Sequence, residues 1–170
     1  MNELAYAHLT KDQIASVKKQ LADQYNTVWF DCDGYLVTAC LMRIGKLKLG
    51  IRVYVNGCCM HSWLLSSSEA EEGRRFYRLA TRRLHSAKAL SDLVRAVGKR
   101  SKIYKEFASQ TYSYRAYYWT SAASMLRHFH DNNASVRLLD EAEAKLRMEA
   151  LQPELAAARE AALVTKAGAE

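Results

Sequence analysis

One proline, Pro153, stands among 170 residues, which is too little for a disordered linker chain. The four cysteines, Cys32, Cys40, Cys58 and Cys59, form no C-x-x-C pair. Nothing marks the chain for export, so reduced thiols in a cytoplasm are expected. No apolar run approaches the roughly 18 residues of a membrane helix, so no membrane partner is expected. The opening Met1-Asn2-Glu3-Leu4-Ala5 has neither a basic nor an apolar segment, and no secretory signal is read there. No Walker loop, G-x-G-x-x-G fingerprint or G-x-S-x-G elbow occurs. Self-similarity at solenoid periods is missing as well.

What the chain does contain is 49% hydrophobic and 25% charged residues, enough for one cored domain. Residues 1–139 read as a single α+β domain. Residues 140–170 hold ten alanines in 31 positions and read as an Ala/Glu-rich helical tail.

The charge is uneven. The net charge is +7, yet residues 74–105 alone carry eleven basic residues and one acid, Asp92. Such a block repels itself unless it is solvated or faces an anion. Arg74, Arg75, Arg78, Arg82 and Arg83 are therefore candidate contacts for phosphate or carboxylate groups.

The period of the apolar residues divides the chain into elements. Thr10-Lys11-Asp12-Gln13 is a capping box and predicts a helix over Lys11–Ala22. Leu47, Leu49, Ile51, Val53 and Val55 then alternate with polar residues, the pattern of a half-buried strand. Asp33-Gly34, Gly45-Lys46 and Asn56-Gly57 are turn signals around it. They predict a four-stranded antiparallel meander of Thr27–Asp31, Tyr35–Ile44, Leu47–Val55 and Cys58–Leu64. In that register Lys48 faces Arg43, Arg52 lies between Ala39 and His61, and Tyr54 faces Cys59. One face then carries Leu36, Cys40, Met42 and Ile44 with the Leu47–Val55 set. The other carries Arg43, Lys48, Arg52, Tyr54, His61 and Trp63, a basic and aromatic surface of the kind that binds single strands and RNA.

Downstream, Ser68-Glu69-Ala70-Glu71 is a second capping box and predicts a helix through Leu84. On it Arg75, Arg78 and Arg82 share one face. Ser86 caps a further helix ending at Gly98. Five of the eight residues from Tyr112 to Trp119 are aromatic, with Arg115 among them. They suit a core-packing loop or a base-stacking platform. Thr120 caps a helix through Phe129, and Ser135–Leu139 reads as another strand.

Site chemistry is sparse. Cys58, Cys59 and His61 are too few on either strand face for zinc. Cys59 with His61 lacks the third residue of a nucleophilic constellation. No metal, cofactor or catalytic residue is assigned on these grounds.

Two resemblances add to this reading. Val28-Trp29-Phe30-Asp31-Cys32-Asp33-Gly34-Tyr35-Leu36-Val37 resembles the first motif of haloacid-dehalogenase-type phosphatases. It implies a parallel sheet, Asp31 as nucleophile, Asp33 as general acid/base, and Mg²⁺ as cofactor. The same residues also read as a plain hairpin around Asp33-Gly34, the reading preferred here. Tyr35–Leu64, Arg74-Arg75-Phe76-Tyr77 and the Trp119–His130 segment look similar to small proteins of prophages and mobile elements in proteobacteria. That resemblance implies a non-catalytic accessory protein that inhibits host defence, anti-CRISPR activity included. Basic charge argues against DNA mimicry and for contact with nucleic acid or an acidic nucleoprotein surface.

Overall fold

The computed structural model describes residues 8–167. Thr10 caps the first helix, α1 (Lys11–Gln20), and the reciprocal Thr10–Gln13 bonds of the capping box are both made. The hairpin strands β1 (Thr27–Cys32), β2 (Tyr35–Gly45) and β3 (Lys48–Val55) follow. Asp33 and Gly34 turn β1 into β2 with φ of 50° and 90°, the left-handed pair that a tight hairpin requires. A 3-10 turn (His61–Leu64) leads to a short helix α2 (Glu71–Phe76) and strand β4 (Arg78–Arg83). Helices α3 (Ala87–Val97) and α4 (Lys102–Ser109) come next, followed by strands β5 (Thr111–Ala116) and β6 (Tyr118–Trp119). Helix α5 (Ala122–Asn132), strand β7 (Val136–Leu139) and helix α6 (Glu141–Ala167) complete the order.

The fold is α+β. A five-stranded sheet has the order β6-β3-β2-β1-β7, and β4 and β5 form a separate two-stranded ribbon. Every pairing is antiparallel, whereas the phosphatase resemblance implies a parallel sheet. One sheet face presents Val28, Phe30, Val37, Ala39, Ile51, Val53 and Val55 to Val17 of α1, Leu21 at its C-terminal cap, Phe76 of α2, and Met125 and Phe129 of α5. Phe129 is the hub of this core, with edge-to-face rings of Phe30, Phe76 and Trp119 at 5.9, 5.5 and 6.5 Å. The opposite face, at Trp29, Leu36 and Leu139, is covered by Ala144, Met148 and Leu151 of α6.

Three expectations from the sequence fail for identifiable reasons. The β2–β3 turn falls at Lys46-Leu47, with a bulge between Arg43 and Gly45, so Arg43 pairs with Leu49, Cys40 with Arg52 and Gly45 with Lys48. A one-residue slip exchanges the faces of a strand. Val37, Ala39 and Leu41 therefore share the face of Ile51, Val53 and Val55, in place of Leu36, Cys40 and Met42. Arg43 leaves the face of Lys48 and Arg52 for the same reason. Its guanidinium instead donates to the carbonyls of Gly45 and Lys46 and closes the hairpin tip.

The fourth meander strand does not form. Asn56-Gly57 makes its turn, and Val55 and Cys58 exchange backbone bonds. Beyond Cys58 the chain leaves the sheet, and Trp119 and Tyr118 pair with Ile51 and Arg52 instead.

The long helix through Leu84 also fails. Ser68 Oγ accepts from the Ala70 amide rather than capping the helix, and Tyr77 breaks it with extended φ and ψ of −121° and 124°. Burial of the Tyr77 ring, whose hydroxyl donates to the Val53 carbonyl at 3.1 Å, outweighs the helical propensity of the following arginines. Smaller shifts occur elsewhere: Ser121 rather than Thr120 caps α5. Ser86 and Gly98 bound α3 as expected.

Candidate nucleic-acid interface

The β4–β5 ribbon unites two features that are separate in the sequence. Its register sets Arg78 opposite Ala116, Ala80 opposite Tyr114 and Arg82 opposite Tyr112. Alternation then places Arg78, Arg82, Tyr112 and Tyr114 on one face, and Leu79, Arg83 and Arg115 on the other. The Arg82 guanidinium lies 5.2 Å from the Tyr114 ring centre. Tyr114 in turn neighbours Tyr112 at 5.9 Å. Arg82, Arg83 and Tyr112 are all exposed. Arg78, Arg82 and Arg83 of the basic block and Tyr112 and Tyr114 of the aromatic run thus lie on the two strands of one ribbon.

The connection between those strands, α3 and α4, extends the charge. Residues 78–116 hold ten Lys and Arg against Asp92 and Glu106, while the remainder of the chain is nearly balanced, with 15 basic and 16 acidic residues. Among the described residues, the one ion pair within this unit is Arg95 with Asp92 at 3.8 Å on an exposed helix face. The sequence places Arg75, Arg78 and Arg82 on one helix face, and the structure separates them. Arg78 and Arg82 are strand residues, while Arg75 lies in α2. Arg75 is occupied by Asp33, at 2.6 Å, and by Glu71.

Arg74 is exposed on α2, near a third basic side chain. Arg115 lies over Gly73, where an added Cβ would approach its Cδ to 3.4 Å. Burial, with Arg74 nearby, lowers the pKa of Arg115. Beside them His128 Nε2 bonds the Arg74 carbonyl at 3.2 Å, and burial holds the His128 pKa below its usual value.

The second candidate set is divided too. Arg52, Tyr54 and His61 line a cleft of about 480 Å³ with Val53, Gly57, Cys58, Cys59, Leu64 and Tyr117. The Arg52 guanidinium lies 5.0 Å from the Tyr117 ring centre. Trp63 turns inward, half-buried against Tyr77 at 6.3 Å. Lys48 and Arg43 are at the exposed hairpin tip, away from this cleft. In the sequence Tyr117 stands out only as part of the aromatic run. Its place beside Arg52 depends on β6 joining β3, which no local pattern signals.

The aspartate pair is held by its surroundings. Asp31 accepts from the Gly34 amide at 2.9 Å and meets Arg137 and Arg147 at 3.3 and 2.9 Å. Asp33 accepts from the Ala134 and Ser135 amides at 2.9 and 2.7 Å and from Arg75. Partial burial raises both carboxyls, but these donors outweigh it and leave each pKa below the usual value. The Asp33 carboxylate thereby ties the first hairpin to the entry of β7.

The four cysteines are unpaired: Cys32 is buried, Cys40 and Cys58 half-buried, and Cys59 exposed. No group of three or more His, Cys, Asp or Glu among the described residues is placed to hold a metal ion. No helix among them is long and apolar enough to cross a membrane.

No family model, curated protein or solved structure matches the chain.

Proposed function

We propose that the chain is a non-catalytic phage or mobile-element accessory protein that binds nucleic acid, free or within a nucleoprotein complex, through the β4–β5 ribbon. The observation that carries this reading is Arg82 stacked on Tyr114 beside exposed Tyr112, within a unit whose basic excess meets almost no carboxylate. Guanidinium groups neutralise phosphates and release counterions, while tyrosine faces accept unpaired bases. The phage assignment and a role against host defence rest on the sequence resemblance.

Reversal of two exposed charges tests the reading. Arg82→Glu with Arg83→Glu is expected to keep its circular dichroism and lose affinity for a labelled oligonucleotide by more than about tenfold near physiological salt. The parent's affinity should fall steeply as salt rises. A folded double variant that binds as the parent does would reduce the ribbon to a solvated surface.

A further inference from the structure

We propose that the cleft lined by Arg52, Tyr54, His61 and Tyr117 takes one unstacked nucleotide of a single strand whose neighbours lie along the ribbon. This rests on the nucleic-acid reading and narrows it to single strands.

The lining argues for an anion with a flat, apolar body. It offers a guanidinium, an imidazole and two phenols around Val53 and Leu64, and it contains no carboxylate. Among the described residues Arg52 meets no acid. Its guanidinium is held instead over Tyr117. At about 480 Å³ the cleft lies within the usual size range of small-ligand sites. A nucleobase matches the aromatic and aliphatic walls, and its phosphate matches Arg52.

The cleft also adjoins the ribbon along the chain. Leu64 lines the cleft. The next residue, Leu65, is bridged to Tyr114, the ring that carries Arg82. Tyr117 follows β5 by one residue. A strand stacking on Tyr112 and Tyr114 would therefore approach the cleft from its Leu64 and Tyr117 side. Bases of a duplex are paired and stacked and cannot enter it, so the arrangement discriminates in favour of single strands.

Cys59 makes the cleft testable, because it is an exposed thiol in the lining. Cys40→Ser with Cys58→Ser leaves Cys59 as the accessible thiol, Cys32 being buried. A bulky maleimide on Cys59 should leave the circular dichroism unchanged and weaken binding of a labelled oligothymidine by about tenfold, with blunt-duplex binding altered by less than about twofold. Bound oligothymidine should in turn slow the modification. Arg52→Met, which keeps the unbranched stem of the side chain and removes its charged end, should weaken oligothymidine binding without a label. Unchanged oligothymidine affinity after labelling, or equal losses for strand and duplex, overturns the cleft while leaving the ribbon reading intact. If the unmodified protein binds neither probe, both readings fall.

Discussion

The five-stranded body and the unit of residues 78–116 solve opposite problems with the same residue types. In the body, three arginines neutralise carboxylates: Arg75 serves Asp33 and Glu71, and Arg137 and Arg147 converge on Asp31 and Glu143. Three of its aromatic rings, Phe30, Phe76 and Phe129, are fully buried. In the ribbon unit only Leu90 and Ala116 are buried, and arginine covers a tyrosine rather than an acid. Cohesion is concentrated in one region and uncompensated charge in the other. A protein whose surplus charge served solubility alone would have no reason to gather it on one ribbon and helix pair.

The largest effect that tests this division belongs to the core. Phe30→Ala should cost about 3–5 kcal/mol in denaturant unfolding, because Phe129 and the sheet cannot close fully on the space left. A loss below about 1 kcal/mol would mean that the body is not the seat of stability.

An intermediate effect is expected at Asp33. Asp33→Asn removes the charge from a group with three donors and should cost about 1–3 kcal/mol at neutral pH. Because the folded-state pKa of Asp33 is depressed below 3.8, its contribution is present above that value and lost as pH falls through the lower folded one. Parent and variant should therefore converge in stability at strongly acid pH. Parallel curves down to that range would show that the carboxylate is not held as described.

The smallest effect belongs to the ribbon. Arg82→Ala with Arg83→Ala should shift stability by less than about 0.5 kcal/mol, since both side chains are exposed and neither is paired with an acid. A shift as large as that at Asp33 would erase the contrast between the two regions.

Local signals were legible wherever one chemistry dominates. The Thr10 capping box, the Asp33-Gly34 and Asn56-Gly57 turns, the helix between Ser86 and Gly98 and the strand near Val136 are all readable from the residues. The illegible parts turn on competition between distant segments. Nothing around Cys58–Leu64 reveals that Trp119 takes the β3 edge. Nothing in Arg78-Leu79-Ala80-Thr81-Arg82-Arg83 reveals a strand until Thr111–Ala116 supplies its partner. The register error has a smaller source: Gly45 suits the first position of a two-residue turn, and only the bulge at Ile44 shows that the chain turns one residue later. The candidate site shows in the sequence only as composition, since Arg82 and Tyr114 lie 32 residues apart.

The bonds from Asp33 to the Ala134 and Ser135 amides span 101 and 102 residues of chain. Bringing such distant points together in an unfolded chain costs about 4 kcal/mol of loop-closure entropy beyond a constant, of the same order as the return from the bonds to one carboxylate. That cost is largely met once β1, β2 and β7 have drawn the two halves near, so the clasp is expected to close late in folding. It acts on the other direction of the reaction. Contacts made after the transition state set how long the native state lasts rather than how fast it is reached. Two amides and one arginine on a single carboxylate thus act as a brake on opening between the chain's first hairpin and its last strand.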